Sequence, residues 1–410
     1  MNSAFRAYPL RWVALAAMLT GIALAFLQSL DPMLNPDSAA FVAIAQSVLS
    51  GQGVRYQEPL IPGLDLYAFR APGYPLFLAF GFLLGGVTTV VAIQGALSGL
   101  SAALVGDIAG RLVGGTWRAR AAWIAFALRM AWPDAWFHSA LLLSEVLYEF
   151  LCVLATWLVL RSIDRREIGW TIGAAAATVF AILCRPVGLG LALALGIVLL
   201  AKFPRAAFAY GAAALLLWAP WPIRNARLLH ATVPFTTNGG ATWWAGTTDG
   251  QVRPAYDWMG RNVGVGEVGF DRHFRQLALE NVKRDPVAAL SADARRAFIY
   301  VGPIRGRQVG LWVHRFTMLF ALAALFLGAF RRLRLPLGIW LAQGAIMVPI
   351  YLIDRYRFPS DWCVIVAGAL GVSTLADRVG SRGAAILVAL ALALCLGASW
   401  VLSLGAGPTP

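Results

Sequence analysis

The sequence predicts an all-α, polytopic membrane protein, and three observations carry that reading. Hydrophobic residues make up 59% of 410 and charged residues 13%, with a mean hydropathy of +0.69. Those values lie outside the range of soluble domains. Apolar runs of near-membrane length recur along most of the chain. Most Arg and Lys fall in short loops between those runs or in one long polar segment, which gives the runs an alternating sidedness. The net charge of +14 therefore follows topology; no basic stripe with interleaved aromatics is present, and nucleic acid is excluded as a partner.

The runs place about eleven spans near 12–30, 88–110, 119–136, 140–160, 168–184, 186–201, 206–221, 311–330, 335–352, 361–377 and 384–404. The first has no small-residue cleavage site before Asp31-Pro32 and reads as an uncleaved signal anchor. Arg6 and Arg11, Arg111 to Arg120, Arg161 to Arg166, Lys202 and Arg205, Arg331 to Arg334, and Arg378 and Arg382 then share one side. The positive-inside rule makes that side, and the N-terminus, cytoplasmic. This bookkeeping requires that Gly73 to Leu84 does not cross but forms a re-entrant or interfacial segment. The chain divides into an N-terminal membrane module, 1–221, with a first outer loop over 31–87; an outer segment, 222–310; and C-terminal helices over 311–410. Within the outer segment, 269–284 and 286–300 carry the one-faced apolar pattern of helices packed on a membrane.

The first loop holds the first candidate for chemistry. In Asn35-Pro36-Asp37-Ser38, Asn35 reads as a helix cap, Pro36 as the first helical residue and Gly51 as the stop. Phe41, Ile44 and Val48 share a face, as in a helix lying on a membrane surface. Asp37 sits in the first turn, where the helix dipole favours an ionised carboxylate; it is either a helix-start stabiliser or a base at the membrane boundary. A second acid, Glu145, begins the run to Leu160 at the same face, where an unpaired charge is costly. It either faces a shared cavity or pairs with Arg129.

Arginines form the complementary set. Arg70 precedes the rigid Ala71-Pro72-Gly73-Tyr74-Pro75, Arg185 precedes Pro186, Arg224 follows Trp221-Pro222, and Arg355-Tyr356-Arg357 opens a late span. Arginines in short outer loops oppose the topological bias. Phosphate binding explains them, since guanidinium forks match phosphate oxygens; snorkelling to lipid headgroups is the alternative. His138, His230, His273 and His314 have no metal-ligand spacing, and the four Cys lie far apart in apolar runs as structural thiols. Gly239-Gly240, Trp243-Trp244 and Gly246 form either a surface for a sugar ring or an ordinary loop.

Together these segments resemble the GT-C membrane glycosyltransferases, in particular bacterial relatives of protein mannosyltransferases and lipid A aminoarabinose transferases. The resemblance rests on Asp37-Ser38-Ala39-Ala40-Phe41 with Gly51-Gln52-Gly53, on Phe69 to Ala79, on Ser144-Glu145, and on Arg185-Pro186. Pro220 to Asn225 and Arg355 to Pro359 complete it, with Phe41 where Tyr is common in that family. It implies an enzyme of the bacterial inner membrane, with a periplasmic active site, that moves a hexose or pentose from a polyprenyl-phosphate donor to an acceptor with inversion. Asp37 would be the base, and Glu145 would orient the acceptor or hold an arginine. Arg70, Arg185, Arg224, Arg355 and Tyr356 would bind the donor phosphate. No obligatory cofactor is implied. The first loop lacks Asp-x-Asp, so a divalent metal is left open. The acceptor is open among glycan, lipid and protein. The alternatives are a transporter or flippase of lipid-linked or small anionic substrates, and a surface-polysaccharide polymerase or ligase. Acids and arginines at span ends rather than mid-bilayer favour the transferase.

Overall fold

The computed structural model describes residues 8–28, 30–57, 63–248, 250–302, 308–350, 354–380 and 383. Among these, helices dominate, and the one sheet is a two-residue antiparallel ribbon of β1 (Tyr56–Gln57) and β2 (Asp65–Leu66). The helices run α1 (Leu10–Leu27), α2 (Pro36–Leu49), α3 (Gly73–Val113), α4 (Arg118–Met130), α5 (Pro133–Ser139) and α6 (Glu145–Arg165). They continue as α7 (Ile168–Cys184), α8 (Gly188–Lys202), α9 (Pro204–Trp218), α10 (Pro220–Leu229), α11 (Gly239–Gly246) and α12 (Arg253–Arg261). Next come α13 (Gly266–Arg284), α14 (Pro286–Val301), α15 (Gln308–Phe326) and α16 (Phe330–Met347), and a last span covers Arg355–Gly380.

Among the described residues, five helices are long and apolar enough to cross a bilayer: Leu10–Leu27, Gly73–Val113, Glu145–Arg165, Pro204–Leu229 and Arg355–Gly380. Ile168–Cys184, Gly188–Lys202 and Val313–Phe326 are shorter apolar helices. The expected eleventh span, 384–404, lies outside the described residues, as does Cys395. Several expected boundaries move, two of them at prolines. The run 119–136 breaks at Trp132-Pro133 into α4 and α5, because proline opens a new helix more readily than it continues one. The run 206–221 does not stop at Pro222; the prolines occupy first-turn positions of α10, which need no amide donor, and helix continues to Leu229.

Helix α3 is bent back on itself at Gly85 and Gly86, whose φ of 157° and 78° leave the helical region. The Tyr74 hydroxyl donates to Gln94 Oε1 at 2.8 Å. In a straight helix those residues would stand about 30 Å apart. The arm Gly73–Leu84 rises about 18 Å, short of the ~30 Å of a hydrocarbon core. The second arm pairs closely with α1: a Cβ on Gly95 would stand 2.6 Å from the Gly21 carbonyl oxygen. Small residues there let the two backbones approach, the usual means of packing helices in lipid.

Helix α2 is not laid on a membrane surface. Its Phe41 and Ala45 enter the main core with Tyr74 and Leu78, while Ala40 and Ile44 enter a second core. That second core joins α2 and the ribbon to α11, α12 and α13 through Leu66, Phe69, Met259, Phe270 and Phe274. It forms a cap over one end of the bundle. Of the two expected amphipathic helices, α13 buries Phe270 and Phe274 into this cap, whereas α14 leaves Val287, Leu290 and Phe298 exposed. The opposite end of the bundle carries Arg111, Arg118, Arg166 and Lys202, tied together by the Arg111–Asp107 pair at 2.6 Å and by Arg166 donating to the Lys202 carbonyl at 2.8 Å.

Candidate functional site

Five separate chain segments deliver charged side chains to one cavity under the cap. Asn35 caps α2, its Oδ1 accepting the Asp37 amide at 3.0 Å, which fixes Asp37 in the first turn. Arg70 is placed by the turn into α3. Gly73 there lies against the C-terminus of α7, with 2.7 Å from its missing Cβ to the Leu183 carbonyl carbon, so any side chain would drive the two apart. Arg185 follows Cys184 directly at that same terminus. Glu145 is the first residue of α6, where the helix dipole favours its charge. Arg355 and Tyr356 open the last span.

These side chains form a continuous ion-pair chain. Arg70 Nη2 lies 3.1 Å from Asp37 Oδ1, and Arg355 Nη2 donates to Asp37 Oδ2. Arg355 Nε then lies 3.1 Å from Glu145 Oε1, and Arg185 Nη1 lies 3.0 Å from that same oxygen. Three guanidiniums against two carboxylates leave one net positive charge. Tyr356 stacks beneath it, with the Arg185 and Arg355 guanidiniums 4.9 and 5.0 Å from its ring centre. Burial alone would raise the Asp37 carboxyl; Arg70, then Arg355 and Arg185, outweigh it and hold the group below the usual carboxylate range. Asp37 is therefore ionised at neutral pH.

The cavity encloses about 520 Å³. The ion-pair chain lines one wall. Leu143, Val187, Ile346 and Met347 make an apolar flank, and Asn238, Thr242, Trp243 and Arg275 face in from α11 and α13. A charged wall beside an apolar flank suits a ligand with an anionic head and a hydrocarbon tail.

The sequence-derived candidates divide accordingly. Asp37, Arg70, Glu145, Arg185, Arg355 and Tyr356 all line this cavity. Arg224 does not join them. Because α10 continues past Pro222, its guanidinium turns to the loop before α3 and donates to the carbonyls of Tyr67 at 2.9 Å and Val54 at 2.5 Å. Arg129 is not the partner of Glu145; it pairs with Glu149 one turn deeper, at 2.6 Å with both side chains buried. Phe41, in place of the expected tyrosine, packs edge-on against Tyr74 at 5.1 Å.

Glu267 carries no signal in the sequence. It accepts the amides of Tyr67 at 2.9 Å and Ala68 at 3.1 Å and the Thr237 hydroxyl at 2.7 Å. Burial raises its carboxyl despite these bonds. It ties the Arg70 loop and the Thr236–Asn238 wall to α13. Trp243 and Trp244 divide: Trp243 lines the cavity, and Trp244 packs on Phe274 at 5.1 Å.

No protein-family model matches the chain, and no curated protein matches it in sequence. Solved structures do. The Archaeoglobus fulgidus oligosaccharyltransferase in complex with Zn and sulfate aligns with 97% of this chain and 54% of its own, at 17% identity and a TM-score of 0.56. The same organism's AglB oligosaccharyltransferase, in complex with an inhibitory peptide and a dolichol-phosphate, aligns with 97% of this chain and 57% of its own, at 14% identity and 0.55. ArnT from Cupriavidus metallidurans aligns with 89% of this chain and 78% of its own, at 16% identity and 0.40. The chain thus spans a little over half the length of the oligosaccharyltransferases it matches. The likeness is one of fold, shared with these oligosaccharyltransferases.

Proposed function

We propose that this chain is a membrane glycosyltransferase that moves a sugar from a polyprenyl-phosphate donor to an acceptor hydroxyl, with inversion, in the cavity beneath the cap. One observation carries the reading: an ionised carboxylate, Asp37, and three guanidiniums share a cavity flanked by membrane helices. The AglB complex with dolichol-phosphate shows a lipid phosphate bound by a protein of this fold, which supports that donor class. Basic short loops at the opposite end make that end cytoplasmic by the positive-inside rule. The cavity then opens to the periplasmic face of a bacterial inner membrane.

The chemistry follows from the charges. The acceptor oxygen attacks the anomeric carbon as the bond from that carbon to the phosphate oxygen breaks, with the electron pair leaving on phosphate. Asp37 takes the proton from the acceptor hydroxyl. Arg70, Arg185 and Arg355 stabilise the negative charge growing on the phosphate. A single displacement inverts the anomeric centre. Glu145 keeps Arg185 and Arg355 aimed at the cavity.

In the free protein both Asp37 oxygens are held by arginines, which makes the carboxylate a weak base. A donor phosphate competes for those same guanidiniums and so loosens Asp37 and raises its basicity. Donor binding thereby prepares the base.

A divalent cation does not fit this wall. Asp37 and Glu145 are bridged by guanidiniums, and among the described residues no three His, Cys, Asp or Glu side chains converge. A further cation would add to a wall already positive.

The test is transfer from a panel of labelled polyprenyl-phosphate hexoses and pentoses in membranes that contain the protein. Label should pass to an acceptor with its anomeric configuration reversed. Retained configuration would remove Asp37 from the role of base in a single displacement.

A further inference from the structure

A second cavity, of about 690 Å³, lies at the opposite end of the bundle between α1, α6 and the start of α7. Helix α6 runs from Glu145 to Arg165, so its two ends, and the two cavities, stand about 30 Å apart. That is close to the thickness of a hydrocarbon core. Arg11, Arg161 and Arg165 line this cavity together with Trp12, Trp157 and Trp170, and no acid lines it.

The nearby carboxylates are turned elsewhere. Asp107 pairs with Arg111 and accepts the Trp157 indole N–H at 2.8 Å, Asp164 pairs with Arg111, and Glu167 accepts from the Trp170 indole at 2.8 Å. Arg161 is held by its own surroundings, its guanidinium 4.8 Å from the Trp157 ring centre. Its Nε is buried with no hydrogen-bond partner, an arrangement that costs free energy unless something accepts from it. Among the described residues no acid pairs with Arg11, Arg161 or Arg165.

We propose that this cavity is a binding site for the phosphate of an anionic phospholipid in the leaflet opposite the reaction cavity. Three guanidiniums supply the charge and the donors for a phosphate diester. Indole rings at this depth match the interface between headgroups and acyl chains. Basic pockets between membrane helices take anionic headgroups in this way. The aromatic surround, in place of polar side chains, selects a phosphate carried on a lipid over a free one. The site is independent of the transferase reading: it shares no residue with the reaction cavity.

The test is native mass spectrometry of the full chain in detergent, with phosphatidylglycerol and phosphatidylcholine of identical acyl chains added in equal amounts. Wild type should retain phosphatidylglycerol in preference. Arg161→Gln and Arg165→Gln should each cut that preference about fivefold, near the worth of one arginine at an anionic surface. Arg205→Gln, at the same end but outside the cavity, should leave it unchanged. Equal retention of both lipids by wild type would overturn the proposal, as would a preference that survives both cavity substitutions. Glycerol phosphate that displaces phosphatidylglycerol at equal concentration would assign the site to a free phosphate and overturn the lipid reading.

Discussion

Glu145→Gln separates the two jobs that the ion-pair chain performs, holding the fold and holding phosphate, because it moves them in opposite directions. The Glu145 side chain is 2% exposed, and its Oε1 serves Arg185 at 3.0 Å and Arg355 at 3.1 Å, each about 15% exposed. Breaking a fully buried pair costs about 3–5 kcal/mol. The glutamine oxygen still accepts, and water reaches both arginines from the cavity, so a cost of about 2–4 kcal/mol is expected here. In a melt of the detergent-solubilised protein that is a drop of roughly 2–5 °C. The same change raises the net charge of the wall from one to two. At roughly 8 Å and an effective dielectric of about 20, the added attraction for a phosphate is about 2 kcal/mol before screening. Binding of polyprenyl phosphate, read by isothermal titration in nanodiscs, should tighten about five- to tenfold. Turnover should fall, because Arg355 loses the partner that aims it. A variant that melts like wild type and binds lipid phosphate more weakly would refute both the pairing and the charge argument.

Four further outcomes follow. Arg355→Gln removes the guanidinium that joins Asp37 to Glu145, and should raise the donor KM and lower kcat/KM by at least about 100-fold, the scale of one oxyanion donor, with Arg224→Gln as a comparison that acts on stability and not on donor KM. The acid limb of kcat/KM should lie below the ordinary carboxylate range near 4, since Asp37 is depressed in the free protein; the limb of kcat should lie at higher pH, since the donor takes the arginines away. Two coincident limbs in a pH–rate profile would contradict that competition. By linkage, a depressed carboxylate adds stability that is present above its unfolded pKa and lost as pH falls through the folded value, so Asp37→Asn should flatten the acid side of a plot of Tm against pH. Glu267→Ala strands two buried amides and a hydroxyl and should cost about 2–4 kcal/mol in a denaturation series, with Glu267→Gln recovering part of it.

What the sequence made legible was local or enforced by the membrane. Asn35-Pro36-Asp37 reads as a capped helix start because capping is decided within three residues, and it forms as expected. Asp37, Arg70, Glu145, Arg185 and Arg355 stood out because charge at a span end, in a chain this apolar, needs a partner. Arg224 shared that signature and differs only in where its side chain turns, which depends on carbonyls about 160 residues away. Glu267 was invisible for the same reason: the amides it accepts lie some 200 residues earlier. The reading of α2 as a surface helix failed because its apolar face gives no hint that protein, not lipid, covers it. The bend at Gly85-Gly86 fits the expectation of a segment that does not cross, although the pattern alone did not place the turn.

The most direct test of the central claim is transfer of label from a polyprenyl-phosphate sugar by wild type and by Asp37→Asn, side by side in membranes with matched amounts of folded protein. The account predicts transfer by wild type and a loss of about 10²–10⁴-fold in the variant, while polyprenyl phosphate still binds it. A variant that transfers label at the wild-type rate would contradict the account.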